Sequence, residues 1–400
     1  MKSFELSKKA KNALTLGTLC CVAYLAVYVA RNVLSTVSPQ MTKDGIFDKE
    51  FVGTLSSAFF IAYAIGQLIN GVIGDRIKAR YMMSFGLLLS GITNYIFSFV
   101  TATPALSCLV YALCGFFLSM IYAPMTKVIA DSMEPIHAVR CGVSHTFAMF
   151  FGSPLAGLLA AFFVWKGVFA VSSAVLVIMA VLCFVLFAVF EKKGIIKHIR
   201  IETAEKGSGN IKLLIKRQIV KFAFVAMITG IIRTTVIFWL PTYIEEYLEF
   251  PEQKALLIFS AATMVLSASA FVSLFVFERF KRDINKSVLF FFSVSSCMFA
   301  LVYLIKQPVF NIIFVVLAIM SSHGAASILW SMYCPSLKDT GMVSGATGFL
   351  DFISYISAAV SSVVFANAVD SIGWGNLILV WFGLLVFGVI IALPYKRKAR

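Results

Sequence analysis

Charged residues are scarce in this chain. Aspartate, glutamate, lysine and arginine make up 13% of its 400 residues, whereas apolar residues make up 60%. An average soluble domain has about 25% charged residues, and nearly every apolar run here exceeds about 18 residues, the length typical of a membrane span. The composition excludes a water-soluble globular protein and predicts an all-α membrane protein.

Motifs of enzymes and metal sites are also lacking. The eight cysteines include no Cys-x-x-Cys pair and no spacing with histidine that suits a metal, so we interpret them as small apolar side chains. The sequence shows no nucleophile paired with a base and no glycine loop of the kind that holds phosphates. We therefore expect no enzyme activity, no cofactor and no metal.

Acidic residues are outnumbered by basic ones. The chain has 34 lysines and arginines against 19 aspartates and glutamates, a net charge of +15. Most of the basic residues occupy alternate loops between apolar runs, which is the positive-inside bias of a multi-pass membrane protein rather than a nucleic-acid surface. We predict a monomer in the lipid bilayer of the cytoplasmic membrane, with both termini cytoplasmic and no nucleic-acid partner.

An arginine inside the first apolar run is the main functional feature. Arg31 follows Tyr24 and Tyr28 at helical spacing, which places two phenols and a guanidinium on one helix face. Pro39 lies about 12 Å further along such a helix, so Arg31 is predicted near the bilayer midplane. A guanidinium at that depth costs free energy and marks a functional site.

The second half of the chain repeats this arrangement. Arg233 and Arg31 each lie the same number of residues before a proline, and the two arginines are about half the chain length apart. A half-length repeat of this kind is typical of a duplicated transporter. We predict twelve transmembrane helices in two pseudo-twofold-related six-helix bundles, residues 1–190 and 222–400, joined by a cytoplasmic linker at 191–221. Two cations at mid-depth predict an anionic ligand.

Other polar residues within spans have two interpretations each. Asp351 is the only carboxylate well inside a span, and it either neutralises a cation or takes up a coupling proton. Lys127 is an inter-helix structural lysine or a ligand. His145 and His323 are proton sensors or buried structural histidines.

A basic turn after the second apolar run resembles a signature of the major facilitator superfamily. Gly71 is followed after three residues by Asp75 and Arg76, and then by Lys78 and Arg80. The chain also resembles the organophosphate:phosphate antiporter family of that superfamily, which includes transporters of glycerol-3-phosphate and hexose phosphates. The residues that carry this second resemblance are Tyr24, Tyr28, Arg31, Tyr63, Arg233, Trp239-Leu-Pro241, Gly345-Ala-Thr-Gly348 and Tyr355.

The resemblance implies a major facilitator fold and specific site residues. It makes Arg31 and Arg233 the paired phosphate-binding arginines, and it places Tyr24, Tyr28, Tyr63 and Tyr355 in the same cavity.

The chain departs from the family pattern at Asn32 and Phe238, where the family has a lysine and an aspartate. Gln67 aligns with a family lysine, and the family histidine aligns two residues past His145. The remaining candidates are Gln67, His145 and Lys127 for substrate binding, and Asp75, Arg76 and Asp351 for coupling or gating.

The implied function is secondary active transport. We predict exchange of a phosphorylated small organic anion, of the glycerol-3-phosphate or sugar-phosphate type, for inorganic phosphate by alternating access. A proton-coupled symporter of an organic carboxylate and a transporter-like anion sensor are the alternatives. Export of cationic drugs is disfavoured, because it requires carboxylates inside the bundle and this sequence has two arginines there against one aspartate.

Overall fold

The structure is a computed structural model that describes residues 7–196 and 211–393. Within these ranges every regular element is a helix, which confirms the predicted all-α class. The middle of the predicted linker, residues 197–210, and the basic tail after residue 393 lie outside the described residues.

The chain up to Arg217 contains eight helices in the described ranges. They are α1 (Lys8–Lys43), α2 (Lys49–Gly74), α3 (Ala79–Phe97), α4 (Pro104–Leu118), α5 (Tyr122–Ser132), α6 (Pro135–Phe162), α7 (Trp165–Lys192) and α8 (Ile211–Lys216). The predicted fourth span is divided between α4 and α5, with a short break at residues 119–121.

The second half contains seven α-helices, two π-helical segments and one 3₁₀ turn among the described residues. They are α9 (Ile219–Thr242), a π segment (Tyr243–Tyr247), α10 (Glu252–Ser267), α11 (Ser269–Arg279), α12 (Ile284–Leu304), α13 (Pro308–Ile328), a second π segment (Leu329–Tyr333), α14 (Cys334–Ser336), the 3₁₀ turn (Leu337–Thr340) and α15 (Val343–Ala392). Gly373, with φ of 73°, interrupts α15 between the predicted eleventh and twelfth spans, and this backbone conformation favours glycine.

Local sequence accounts for several helix starts. The Asp48 side chain accepts a hydrogen bond from the backbone N–H of Phe51 at 2.7 Å, and Asp283 accepts one from Lys286 at 3.1 Å. Each aspartate thereby satisfies a first-turn donor that has no partner within its helix. A proline stands in the first turn of α4, α6 and α13, where its missing N–H breaks no helical hydrogen bond.

Nine stretches of the described residues are long and apolar enough to cross a membrane. Helices cover all twelve predicted spans, but three of these spans, those at α3, at α6 and at α10 with α11, are not among the nine. α10 and α11 have 16 and 11 residues, so neither reaches the roughly 18 residues of a span alone. The chain is thus multi-pass with nine candidate spans, and the number twelve stays a prediction.

The described residues group into two compact units. Unit 1 comprises the residues up to Arg217 together with Cys334–Phe352, and unit 2 comprises Gln218–Tyr333 and the residues from Ile353 onward. The first stretch of unit 1 ends inside the predicted linker, whereas Cys334–Phe352 groups with unit 1 although the predicted second bundle, 222–400, includes it. The predicted domain division itself stays a prediction.

Glycines explain why Cys334–Phe352 packs within unit 1. A β-carbon on Gly348 of α15 would overlap the carbonyl oxygen of Gln67 in α2. One on Gly71 would lie 2.9 Å from the Cα atom of Gly348. Small residues allow helix backbones to approach this closely, so the Gly345-Ala-Thr-Gly348 segment forms a helix contact.

Candidate anion-binding site

Arg31 lies against three aromatic rings in unit 1. Its guanidinium carbon is 5.3 Å from the ring centroid of Tyr28, 5.0 Å from that of Tyr63 and 4.9 Å from that of Phe60. Tyr28 lies in α1 about one turn before Arg31, and Phe60 and Tyr63 lie one turn apart in α2. Ring faces attract a cation at such distances. The structure therefore brings together the predicted site residues Arg31, Tyr28 and Tyr63.

Tyr24 connects this cluster to two further helices. Its ring centroid lies 5.0 Å from that of Tyr28, 5.2 Å from that of Tyr122 in α5 and 5.7 Å from that of His145 in α6. The planes of Tyr24 and Tyr122 differ by 26°, so these rings are stacked. His145 is buried, with Nε2 at 3.6 Å from the Sγ atom of Cys141. His145 therefore faces Tyr24, despite its offset from the family position.

Gln67 contributes a buried amide to α2, one turn after Tyr63. Its side chain is fully buried, and neither amide atom has a hydrogen-bond partner among the described residues. An unsatisfied buried polar group costs about 1–3 kcal/mol, and such groups in native structures are commonly satisfied by a water or a ligand. Gln67 can therefore donate to and accept from a polar ligand without adding charge.

Asp351 lies in α15 close to the aromatic cluster of unit 1. Its carboxylate acts electrostatically on the hydroxyl of Tyr122 and on the thiol of Cys334, and it is 8% exposed. Tyr122 stacks on Tyr24 and interacts with Asp351, so it links the predicted coupling carboxylate to the predicted binding residues.

The predicted signature turn forms a second polar cluster in unit 1. Asp75 accepts hydrogen bonds from the backbone N–H groups of Ser344 at 2.9 Å and Gly345 at 2.6 Å, at the N-terminus of α15. Helix N-termini attract negative charge. Lys127 donates to the carbonyl oxygen of Asp75 at 2.6 Å, and its ammonium lies 3.9 Å from the Asp75 carboxylate. The side chain of Arg76 is exposed.

The environment of Asp75 changes its proton affinity. Burial raises the pKa of Asp75 from its ordinary value of 3.8 to about 6, while the Gly345 hydrogen bond, the charge of Lys127 and the Ser344 hydrogen bond oppose the rise.

The contacts of Lys127 with Asp75 are the inter-helix contact that one of its two interpretations predicts. Its assignment to substrate binding stays a prediction.

Unit 2 contains the second predicted arginine. The guanidinium carbon of Arg233 lies 5.6 Å from the ring centroid of Tyr355, and its charge acts on the buried His323. A β-carbon on Gly230 would lie 2.6 Å from the carbonyl oxygen of Ser354. α9 and α15 therefore touch next to Arg233 and Tyr355, and this contact holds the two predicted site residues of unit 2 together.

Phe60 and Tyr122 belong to the unit 1 cluster, yet no sequence motif identifies them. Phe60 is one of 39 phenylalanines. Its position three residues before Tyr63, on the same helix face, is the sequence feature that could have identified it.

The side chains of Phe238 and Trp239 lie outside the described part of the structure. Within the described part, no group of three or more His, Cys, Asp or Glu side chains is arranged to hold a metal ion.

Comparison with family models identifies a family for this chain. The model for the Major Facilitator Superfamily matches residues 20–362. The chain is 22% identical to the glycerol-3-phosphate transporter of Bacillus subtilis, over 95% of this chain and 91% of that protein. It is 24% identical to the hexuronate transporter of the same species, over 92% of this chain and 91% of that protein.

A local similarity and a structural one complete the comparison. Over 24% of its length the chain is 32% identical to the membrane sensor protein UhpC of Salmonella typhimurium, and this match spans 22% of the sensor. The crystal structure of the Major Facilitator Superfamily transporter FucP in the outward conformation is similar in fold, with a TM-score of 0.74 and 13% identity. That similarity covers 96% of this chain and 100% of FucP.

Proposed function

Because the chain belongs to the Major Facilitator Superfamily of membrane transporters, we propose that it exchanges a phosphorylated small organic anion for inorganic phosphate by alternating access. Its distant homology to glycerol-3-phosphate and hexose-phosphate transporters supports an anion of one of these types. The observation that carries the proposal is the Arg31 guanidinium, which lies among Tyr28, Phe60 and Tyr63 within the first apolar run of the chain.

The chemistry of the side chains fits a phosphate group. A phosphate monoester carries a charge of about −1.5 to −2 near pH 7, and a guanidinium presents a planar fork of N–H donors to its oxygens. We assign Arg31 and Arg233 to the transported anion, and Tyr28, Tyr63 and Gln67 to hydrogen bonds with it. The anion offsets the positive charge of these arginines, which favours exchange of one anion for another over return of the protein without one.

Proteoliposomes provide the test. Vesicles containing the purified protein are loaded with phosphate or with neutral buffer, and radiolabelled glycerol-3-phosphate is added outside. We expect uptake only into the phosphate-loaded vesicles, with little effect of a pH gradient. Uptake into phosphate-free vesicles that a pH gradient alone drives would contradict the exchange mechanism.

Proton-coupled symport of an organic carboxylate is the second candidate function. It is supported by the similarity to a hexuronate transporter, by the neutral Gln67 in place of a family lysine, and by the buried Asp351 beside Tyr122. A carboxylate carries less charge than a phosphate monoester and needs fewer cations. Radiolabelled glucuronate supplied under an inward proton gradient tests this candidate in the same vesicles. Saturable binding of either solute without uptake would instead support a sensor.

A further inference from the structure

Of the three rings described against the Arg31 guanidinium, Phe60 has the shortest centroid distance, 4.9 Å. The aromatic frame of Arg31, defined as Tyr28, Phe60 and Tyr63, surrounds the guanidinium with ring faces from α1 and α2. Tyr28 and Tyr63 have hydroxyl groups that can bind a ligand directly. Phe60 has no hydrogen-bonding atom, so it cannot hydrogen-bond to an anion, and its ring lies against the Arg31 guanidinium instead.

The rings that α2 contributes to the frame are fixed by a buried neighbour. The Phe60 ring meets the ring of Phe59 edge-to-face, with centroids 5.3 Å apart and planes at 87°. Phe59 also stacks on Tyr63 at 6.2 Å and packs against Tyr111 at 5.0 Å, and it is 1% exposed. The frame therefore has a rigid support, whereas an arginine side chain alone has many rotamers.

We propose that Phe60 is a positioning residue for anion binding. Its ring face restrains the Arg31 guanidinium, so that the planar N–H edge is already oriented when the oxyanion arrives. Pre-orientation of this kind reduces the entropy lost on binding. The inference rests on the proposed function, because it assigns Arg31 to the transported anion.

The first test measures binding of inorganic phosphate and of glucuronate to the purified full-length protein by titration calorimetry. We expect Phe60→Leu, which keeps an apolar side chain but removes the ring face, to weaken binding about tenfold. Phe60→Tyr keeps the ring and is expected to bind within about twofold of the wild type.

A shape-preserving change separates the ring's charge distribution from its volume. Replacing Phe60 by trifluorophenylalanine keeps the ring but weakens the negative potential of its face, on which cation–π attraction depends. We expect binding about threefold weaker than in the wild type. This replacement also serves as the measurement if Phe60→Leu does not fold. Wild-type affinity in the fluorinated protein would overturn the proposal, since the ring would then only fill space.

Two further variants control for general effects on the fold. The Phe184 ring of α7 lies 4.1 Å from the guanidinium carbon of Arg80, near the start of α3. Phe184→Leu therefore removes an equivalent contact outside the site and should leave affinity unchanged. In an Arg31→Lys background, Phe60→Leu should weaken binding less than threefold, because an ammonium has no plane to orient. Equal losses in both backgrounds would indicate a merely structural role and overturn the proposal.

The two proposals fail in different ways. If the wild type binds phosphate and the Phe60 variants bind it equally well, only the positioning role is wrong. If the wild type binds glucuronate but not phosphate, the phosphate exchange is wrong and the Phe60 series is judged on glucuronate. If the wild type binds neither anion, both proposals are wrong.

Discussion

The guanidinium of Arg31 and a lysine ammonium have the same charge but different shapes. Arg31→Lys is expected to lower kcat/KM for exchange about 10- to 100-fold, because one ammonium cannot replace a bidentate pair of charge-assisted hydrogen bonds worth roughly 1.5–3 kcal/mol each. Initial rates of phosphate exchange in proteoliposomes measure the effect. The matched control is Arg217→Lys, since Arg217 is an exposed arginine hydrogen-bonded to Asp339. Near-normal exchange by Arg31→Lys would reject the assigned site.

Gln67 is predicted to lower the stability of the ligand-free protein and to strengthen its binding of the anion. Gln67→Leu removes two buried polar atoms that have no partner among the described residues, so we expect the ligand-free protein to gain about 1–3 kcal/mol in free energy of unfolding. The same change should weaken anion binding, because it removes a donor and an acceptor. Thermal unfolding with and without phosphate measures both effects.

Asn70 provides the control for Gln67 on the same helix. Its amide nitrogen donates to the hydroxyl of Ser119 at 2.8 Å, so Asn70→Leu breaks an existing hydrogen bond and should destabilise the protein. A loss of stability in Gln67→Leu similar to that in Asn70→Leu would show that Gln67 is satisfied in the empty protein.

At the scale of single residues, the sequence predicts which side chains lie close together on one helix. Helical spacing alone places Tyr28 beside Arg31, because both lie on one helix. The contacts of Arg31 with Phe60, and of Tyr24 with Tyr122, join different helices. Periodicity within one helix carries no information on which other helix packs against it. A phenylalanine, of which the chain has 39, also lacks a polar atom that would mark it as a site residue.

At the scale of helices, the contact between α2 and α15 depends on glycine. Gly348→Ala is expected to destabilise unit 1 by about 1–3 kcal/mol, because its β-carbon would overlap the carbonyl oxygen of Gln67. Gly53→Ala is the matched control, since a β-carbon on Gly53 of α2 meets nothing within 4 Å and alanine favours the helix. Equal melting temperatures of the two variants would contradict this contact.

The start of α15 also gives a pH prediction. The pKa of Asp75 is about 6 in the folded protein and 3.8 ordinarily, so the folded state binds this proton more tightly than the unfolded chain. The resulting stabilisation is complete below about pH 4 and is lost as the pH rises through about 6. Asp75→Asn removes this titration. The melting temperature of the wild type minus that of the variant should therefore decrease between about pH 4 and pH 7, and a constant difference would contradict the raised pKa.

Hydrophobic runs predict where the helices lie, but not how they group. Every predicted span coincides with a helix or a pair of helices, because run length and bounding prolines and glycines are local properties. Within unit 1, Cys334–Phe352 is joined to the rest of the unit by hydrogen bonds from Ser344 and Gly345 to Asp75 and by the glycine contacts with α2. These partners are far apart in the chain, so local sequence patterns do not reveal them.

At the scale of the whole molecule, the number of spans decides which side of the membrane each terminus faces. The nine apolar stretches found among the described residues would place the termini on opposite sides if they were the complete set. Twelve spans would place them on the same side. The basic loops favour the second arrangement, since lysines and arginines concentrate in cytoplasmic loops.

Reporter fusions to the full chain distinguish nine spans from twelve. We expect a fluorescent protein fused after Arg400 to be fluorescent, and an alkaline phosphatase fused there to be inactive, because both would be cytoplasmic. The control is the phosphatase inserted at Gly45, in the turn between α1 and α2, which is predicted to face outward and should be active. An active phosphatase after Arg400 would contradict an even number of spans, and with it the two six-helix bundles and the half-length repeat that matches Arg31 with Arg233.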